Sequence, residues 1–156
     1  MPQRPLPPDI DDKSIPDDEW LYFRVTPYPH ALQKTEDGQY RPASGEFKKD
    51  YPLSVDLSSL CTPEQTRDRS RNNHYHVVRF QAAVARSCGC RIVRDPIGEG
   101  EDEPANPAHA LIFGDHAAKK GALAYDKQGK KIAYSARIVL INRAAPHLPD
   151  DVPPEQ

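Results

Sequence analysis

Hydrophobic and polar residues alternate along Leu53-Ser54-Val55-Asp56-Leu57, the period of a strand with one polar face. The aromatic and β-branched run Trp20–Thr26 predicts a strand as well, stopped by Pro27 and Pro29. Asp37-Gly38 between them is a turn signal that fits a hairpin. Helical spacing takes over further along. Thr62-Pro63-Glu64-Gln65 carries a helix start, with Thr at the N-cap, Pro at the first helical position and Gln at the third. From a second start at Asn72 or Asn73, residues Val77, Phe80, Val84 and Cys88 form one stripe, which predicts an amphipathic helix over 73–88. Gly89 then suits the left-handed residue that closes a helix.

Short strands are predicted at Cys90–Arg94 and Ala108–Phe113, flanking the acidic loop Gly98–Glu103. A helix is expected within Asp115–Ala124 and a last one over Lys130–Arg143. That last helix is apolar on two sides. Ile132, Ala136, Val139 and Leu140 face one way, while Tyr134, Ile138 and Ile141 face nearly the other, as in a helix between layers or against a second subunit. The β-branched residues of Arg137–Ile141 leave a strand as the competing assignment.

Composition sharpens the boundaries. Nine of the 17 prolines fall within residues 1–16 and 146–156. Residues 1–19 have two basic and six acidic side chains, residues 144–156 have none and three, and the stretch between has 19 and 14. The formal net charge of −2 therefore averages a basic domain of +5 with two acidic ends. Residues 1–18 and 145–156 are expected to be disordered fringes around a single domain at 19–144. The fold class expected is α+β, a small mixed or antiparallel sheet packed against the 73–88 helix and a C-terminal helix. No apolar run is long enough for a bilayer and no secretory pattern opens the chain, so no membrane partner is expected. Three cysteines, two of them in Cys88-Gly89-Cys90, fit a reduced, cytoplasmic setting better than a disulfide framework.

Two segments are familiar: Leu53-Ser54-Val55-Asp56-Leu57-Ser58-Ser59-Leu60, and Asp95-Pro96 followed by Asn106-Pro107-Ala108-His109-Ala110-Leu111-Ile112. With Arg24 and the Ser44/Phe47 segment, the region Leu21–Ile141 resembles a group of small bacterial proteins to which no activity is assigned. The resemblance implies a bacterial-type cytosolic protein and carries no reaction with it. Function has to be argued from the site.

Three constellations bear on chemistry. The first is polar and strand-borne. Ser54 and Asp56 share one strand face, and His109 and Arg24 lie on other strands. Asp56 would orient His109 as general acid or base, and Arg24 would hold a phosphate or carboxylate. Ser54 or Ser44 would be the nearest hydroxyl. A solvated strand face with one hydrogen-bonded histidine is the competing reading. The second is charge: residues 67–94 contain Arg67, Arg69, Arg71, Arg79, Arg86, Arg91 and Arg94 against the single acid Asp68. A stripe of guanidinium forks suits a phosphate backbone or an acidic protein, so a nucleic-acid-binding component in a conflict or regulatory system is the leading functional expectation. Its rival is a solvated helix face paired with Glu99–Glu103. The third is a homo-oligomeric contact through Tyr134, Ile138 and Ile141.

Two further ideas fail on spacing. Along a single helix, His74-Tyr75-His76 would lie about 18 Å from Cys88-Gly89-Cys90, too far to share a zinc ion, so no metal site is expected. Cys-Gly-Cys is one residue short of a redox Cys-x-x-Cys. No phosphate-binding glycine loop, dinucleotide fingerprint or nucleophile elbow is present, and no cofactor is expected.

Overall fold

The computed structural model describes residues 5–25, 32–34, 36, 40–42, 52–69, 76–100, 104–114 and 145–146. The chain runs β1 (Trp20–Val25), β2 (Leu32–Lys34), β3 (Tyr40–Pro42), β4 (Leu53–Leu57), α1 (Pro63–Asp68), β5 (His76–Gln81), α2 (Ala82–Ser87), β6 (Arg91–Arg94), β7 (His109–Phe113) and β8 (Ala145–Pro146). Six strands form one sheet in the order β6-β7-β4-β1-β5-β8, antiparallel at every pairing. β2 and β3 pair separately as an antiparallel hairpin, as the Asp37-Gly38 signal predicts. The α+β class therefore holds.

Alternation divides the sheet into two faces. One carries Leu21, Phe23, Val25, Leu53, Val55, Leu57, Val78, Phe80, Ala110, Ile112 and Ile92, all buried in one core with Ile15, Ala82, Ala85, Cys88 and Cys90. The other carries a smaller cluster of Val93, Leu111 and Phe113 next to the polar residues described below.

Two expectations need correction. The first is the 73–88 helix: residues 76–81 are a strand, and only 82–87 are helical. The stripe misled because Phe80, Val84 and Cys88 do meet one core, whereas Val77 points to the opposite sheet face. Val77 and Val78 are both fully buried, as side chains of a strand covered on both sides must be. Consecutive β-branched residues next to Phe80 favour that strand. The end of the helix is as predicted. Gly89 has φ 85°, its N–H donates to Arg86 O at 2.9 Å, and Cys90 N–H donates to Ala85 O at 3.1 Å. That is a Schellman cap, and it gives Cys-Gly-Cys a structural role.

The second correction concerns the N-terminal fringe. Residues 5–18 are a strap laid on the sheet, with Ile15 fully buried in the main core. Asp12 N–H donates to Ile92 O at 2.8 Å, and Ile92 N–H donates to Asp11 Oδ1 at 2.9 Å, so the strap covers the open edge of β6. It also completes α2, whose N-cap Gln81 provides no side-chain hydrogen bond. Ala82 N–H and Ala83 N–H donate instead to Glu19 O at 2.8 Å and Asp17 O at 2.9 Å. At the other end, Ala145 and Pro146 add to β5 opposite Arg79 and Val78, so order extends past the expected boundary at 144. The expected helices within 115–124 and 130–143, with Tyr134, Ile138 and Ile141, lie outside the described residues. Among the described residues, no helix is long and apolar enough to cross a membrane.

Candidate active site

Strand register brings the polar candidates together. Asp56 on β4 stands opposite Tyr22 on β1 and opposite His109 on β7, so the three form a row across the sheet. Arg24 lies two residues beyond Tyr22 and Ser54 two residues before Asp56, both on the same face by alternation. Arg79 on β5 joins the row opposite Tyr22, with its guanidinium 4.1 Å from the centre of the Trp20 ring. Ser44 lies outside the described residues.

Their hydrogen bonds differ from the expected arrangement. His109 Nδ1 lies 2.9 Å from the backbone oxygen of Asp95 and 3.1 Å from its Oδ2. Asp95, just past the end of β6, is therefore the carboxylate that sets the imidazole. Asp56 has other partners: Arg69 Nη1 donates to its Oδ2 at 3.0 Å, and Asn106 Nδ2 donates to its Oδ1 at 3.0 Å. Asn106 is itself fixed by a backbone bridge to Ile97 and by Ala108 N–H, which donates to its Oδ1 at 3.1 Å. Asp56, Asp95 and Asn106 are all buried. Such groups persist because each is charge-paired or hydrogen-bonded.

Helix α1 delivers Arg69. Its N-terminus is a complete capping box: Gln65 N–H donates to Thr62 Oγ1 at 3.1 Å, and Thr62 N–H donates to Gln65 Oε1 at 2.9 Å. The helix is only six residues long, and Arg69 at its C-cap reaches the sheet. Cys61, before the helix, contacts Thr66 Oγ1 at 3.5 Å. Burial pushes the Cys61 thiol up, and Asp56 adds to this. Burial also raises the Tyr22 phenol, so both groups stay protonated near neutrality. A second network closes the turn after β4. Buried Glu19 accepts from Ser58 Oγ at 3.0 Å and from Ser59 N–H at 2.7 Å.

The six described arginines of this set do not share one stripe. Arg69 and Arg79 belong to the polar sheet face, Arg67 pairs with its neighbour Asp68 at 3.4 Å, and Arg71 lies outside the described residues. Arg86, Arg91 and Arg94 lie under the strap, paired with Asp11 and Asp17, Asp9, and Asp12 respectively. Of the expected rivals for these charges, Glu101–Glu103 fall outside the described residues.

No family model, curated protein or solved structure matches the chain. The site must be judged on its own geometry.

Sequence reasoning missed Asp95, Asn106 and the Arg69–Asp56 pair. Asp95-Pro96 and Asn106-Pro107 both carry a turn signal. Each of these Asx residues sits where an acidic loop leaves or rejoins the sheet, which is where a short polar side chain can reach back to a strand end.

Proposed function

We propose that the polar sheet face is the active site of a small transferase or hydrolase acting on a nucleotide-like, phosphate-bearing molecule. The observation that carries this reading is the cross-strand row: Arg24, Asp56 and His109 share one face, and the His109 ring is backed by the buried carboxylate of Asp95. A carboxylate on Nδ1 holds the proton there and leaves Nε2 as the basic nitrogen. His109 is the general acid or base in this reading, and Asp95 is its positioning residue. Asp56, tied to Arg69 and Asn106, anchors the floor of the site rather than the imidazole. Arg24 supplies the anion clamp, and exposed Ser54 offers a hydroxyl beside it.

Dimensions favour a substrate larger than inorganic phosphate. Arg24 and His109 are two strand spacings and two residues apart, roughly 12 Å between backbones, so one ligand of nucleotide size could touch both side chains. The described cysteines, Cys61, Cys88 and Cys90, are all free thiols, which supports a reducing, cytoplasmic setting.

The test is turnover on a panel of nucleoside mono-, di- and triphosphates, followed as phosphate release or phosphoryl transfer. Turnover is expected, with His109→Gln lowering it by about 10²–10⁴ while thermal stability is retained. Absence of turnover across the panel, or full activity in His109→Gln, contradicts the proposal.

A further inference from the structure

The strap is held in an uneven way. Ile15 anchors one end in the core, yet Leu6 and Ile10 at the other end are 62% and 72% exposed. Between them carboxylates on guanidiniums lead the attachment, joined by Arg86 Nη2, which donates to Asp12 O at 2.9 Å, by Ile92 N–H, which donates to Asp11 Oδ1 at 2.9 Å, and by Arg94 Nε, which donates to Ser14 Oγ at 3.1 Å. Asp9 accepts from both Nε and Nη2 of Arg91, the latter at 2.7 Å. Arg86 donates to Asp11 at 3.3 Å and to Asp17 at 2.7 Å, and Arg94 lies 3.3 Å from Asp12. Among the described residues, the only backbone-to-backbone hydrogen bond from residues 5–14 to the sheet is that of Asp12 with Ile92. The surface beneath the strap therefore binds anionic groups through all three of its guanidiniums, two of which also take a backbone oxygen of the strap.

We infer that residues 9–12 act as an internal competitor, and that Arg86, Arg91 and Arg94 take the phosphate backbone of a single-stranded nucleic acid when this stretch lifts. The two-point fork that Arg91 presents to Asp9 is the one a phosphate accepts. Asp9, Asp11 and Asp12, carried on one short stretch of chain, reach Arg91, Arg86 and Arg94 respectively, so the three cations lie within reach of a single chain of anions. Salt screens ion pairs that reach solvent, so residues 9–12 can release while Ile15 keeps the strap attached. The inference does not depend on the reading of the site around His109.

The experiment uses the full chain carrying Asp9→Asn, Asp11→Asn and Asp12→Asn, with Ile15 intact, and a fluorescent 20-nucleotide oligothymidylate read by anisotropy. Asp9→Asn alone serves as a milder variant should the triple variant unfold. A control chain carries Glu64→Gln, Asp68→Asn and Glu99→Gln, the same charge change at exposed sites away from the strap. The strap variant is expected to bind at least about tenfold tighter than both parent and control, with log affinity falling against log salt at a slope of about −2 for three phosphate contacts. Adding Arg91→Gln and Arg94→Gln should abolish the gain. Equal affinity of strap variant and control overturns the proposal. Displacement of the oligonucleotide by polyglutamate at equal charge concentration also overturns it, and assigns the surface to an acidic peptide instead.

Discussion

Cys90 lies in the core at the end of the Schellman cap, and burial pushes its thiol from 9.0 up to about 12. The neutral thiol is the form the fold favours. Stability is therefore full below pH 9.0 and falls as pH rises towards 12, by at most about 1.4 kcal/mol per pH unit from this group. Cys61, Cys88 and Tyr22 shift in the same direction, each chiefly through burial. Urea unfolding of Cys90→Ala between pH 8 and 11 should show a shallower alkaline decline than the parent; an identical decline would contradict the burial account. Ile15 tests a different point. If the strap belongs to the fold, Ile15→Ala costs about 2–5 kcal/mol, whereas a loose fringe would lose almost nothing. Arg69 is nearly as consequential: Arg69→Met leaves the Asp56 carboxylate buried with Asn106 as its remaining partner, at a cost of about 3 kcal/mol.

Elements were legible where one local signal decided them. The alternation of Leu53–Leu57 is β4, and Thr62-Pro63-Glu64-Gln65 is the cap of α1. Replacing Thr62 by Ala should lower stability by about 1 kcal/mol in urea titration, because it removes half of the capping box. Gly89 could be read because its left-handed conformation excludes most other residues. The 76–81 segment departs from the predicted helix because its side chains are buried on both sheet faces, and a strand buried on both faces has no period of its own. Asp56 and His109 were identifiable as polar positions on strands, but their partners were not. Asp95 and Asn106 reach them only through sheet register, in contacts 14 and 50 residues apart in the chain that have no local signature. The strap escaped for a related reason. Proline and acid content marks it as unable to fold alone, and its order comes from arginines 69 to 82 residues away.

For the whole molecule, charge is arranged by face and edge. The acidic N-terminus neutralises the arginines along α2 and β6 at one edge of the sheet, while the polar face gathers Arg24, Arg69 and Arg79 around the row of Tyr22, Asp56 and His109. Acid should loosen the first arrangement. Hydrogen bonds from Ser14, aided by Arg94 and Arg86, hold the Asp12 carboxyl below 3.8. Its contribution is present above that pH and is lost as pH falls through the lowered value. Hydrogen exchange of residues 9–14 should therefore rise in acid before that of β1 or β4; simultaneous opening would mean that the strap is not a separate unit. The central claim concerns the polar face, and it can be tested by following the His109 ring resonances by NMR while a nucleoside monophosphate is added to the parent chain and to Arg24→Gln. The account predicts a saturable shift of the His109 signals in the parent that is lost or weakened at least about tenfold in Arg24→Gln. An unmoved His109 signal, or a shift indifferent to Arg24, would contradict it.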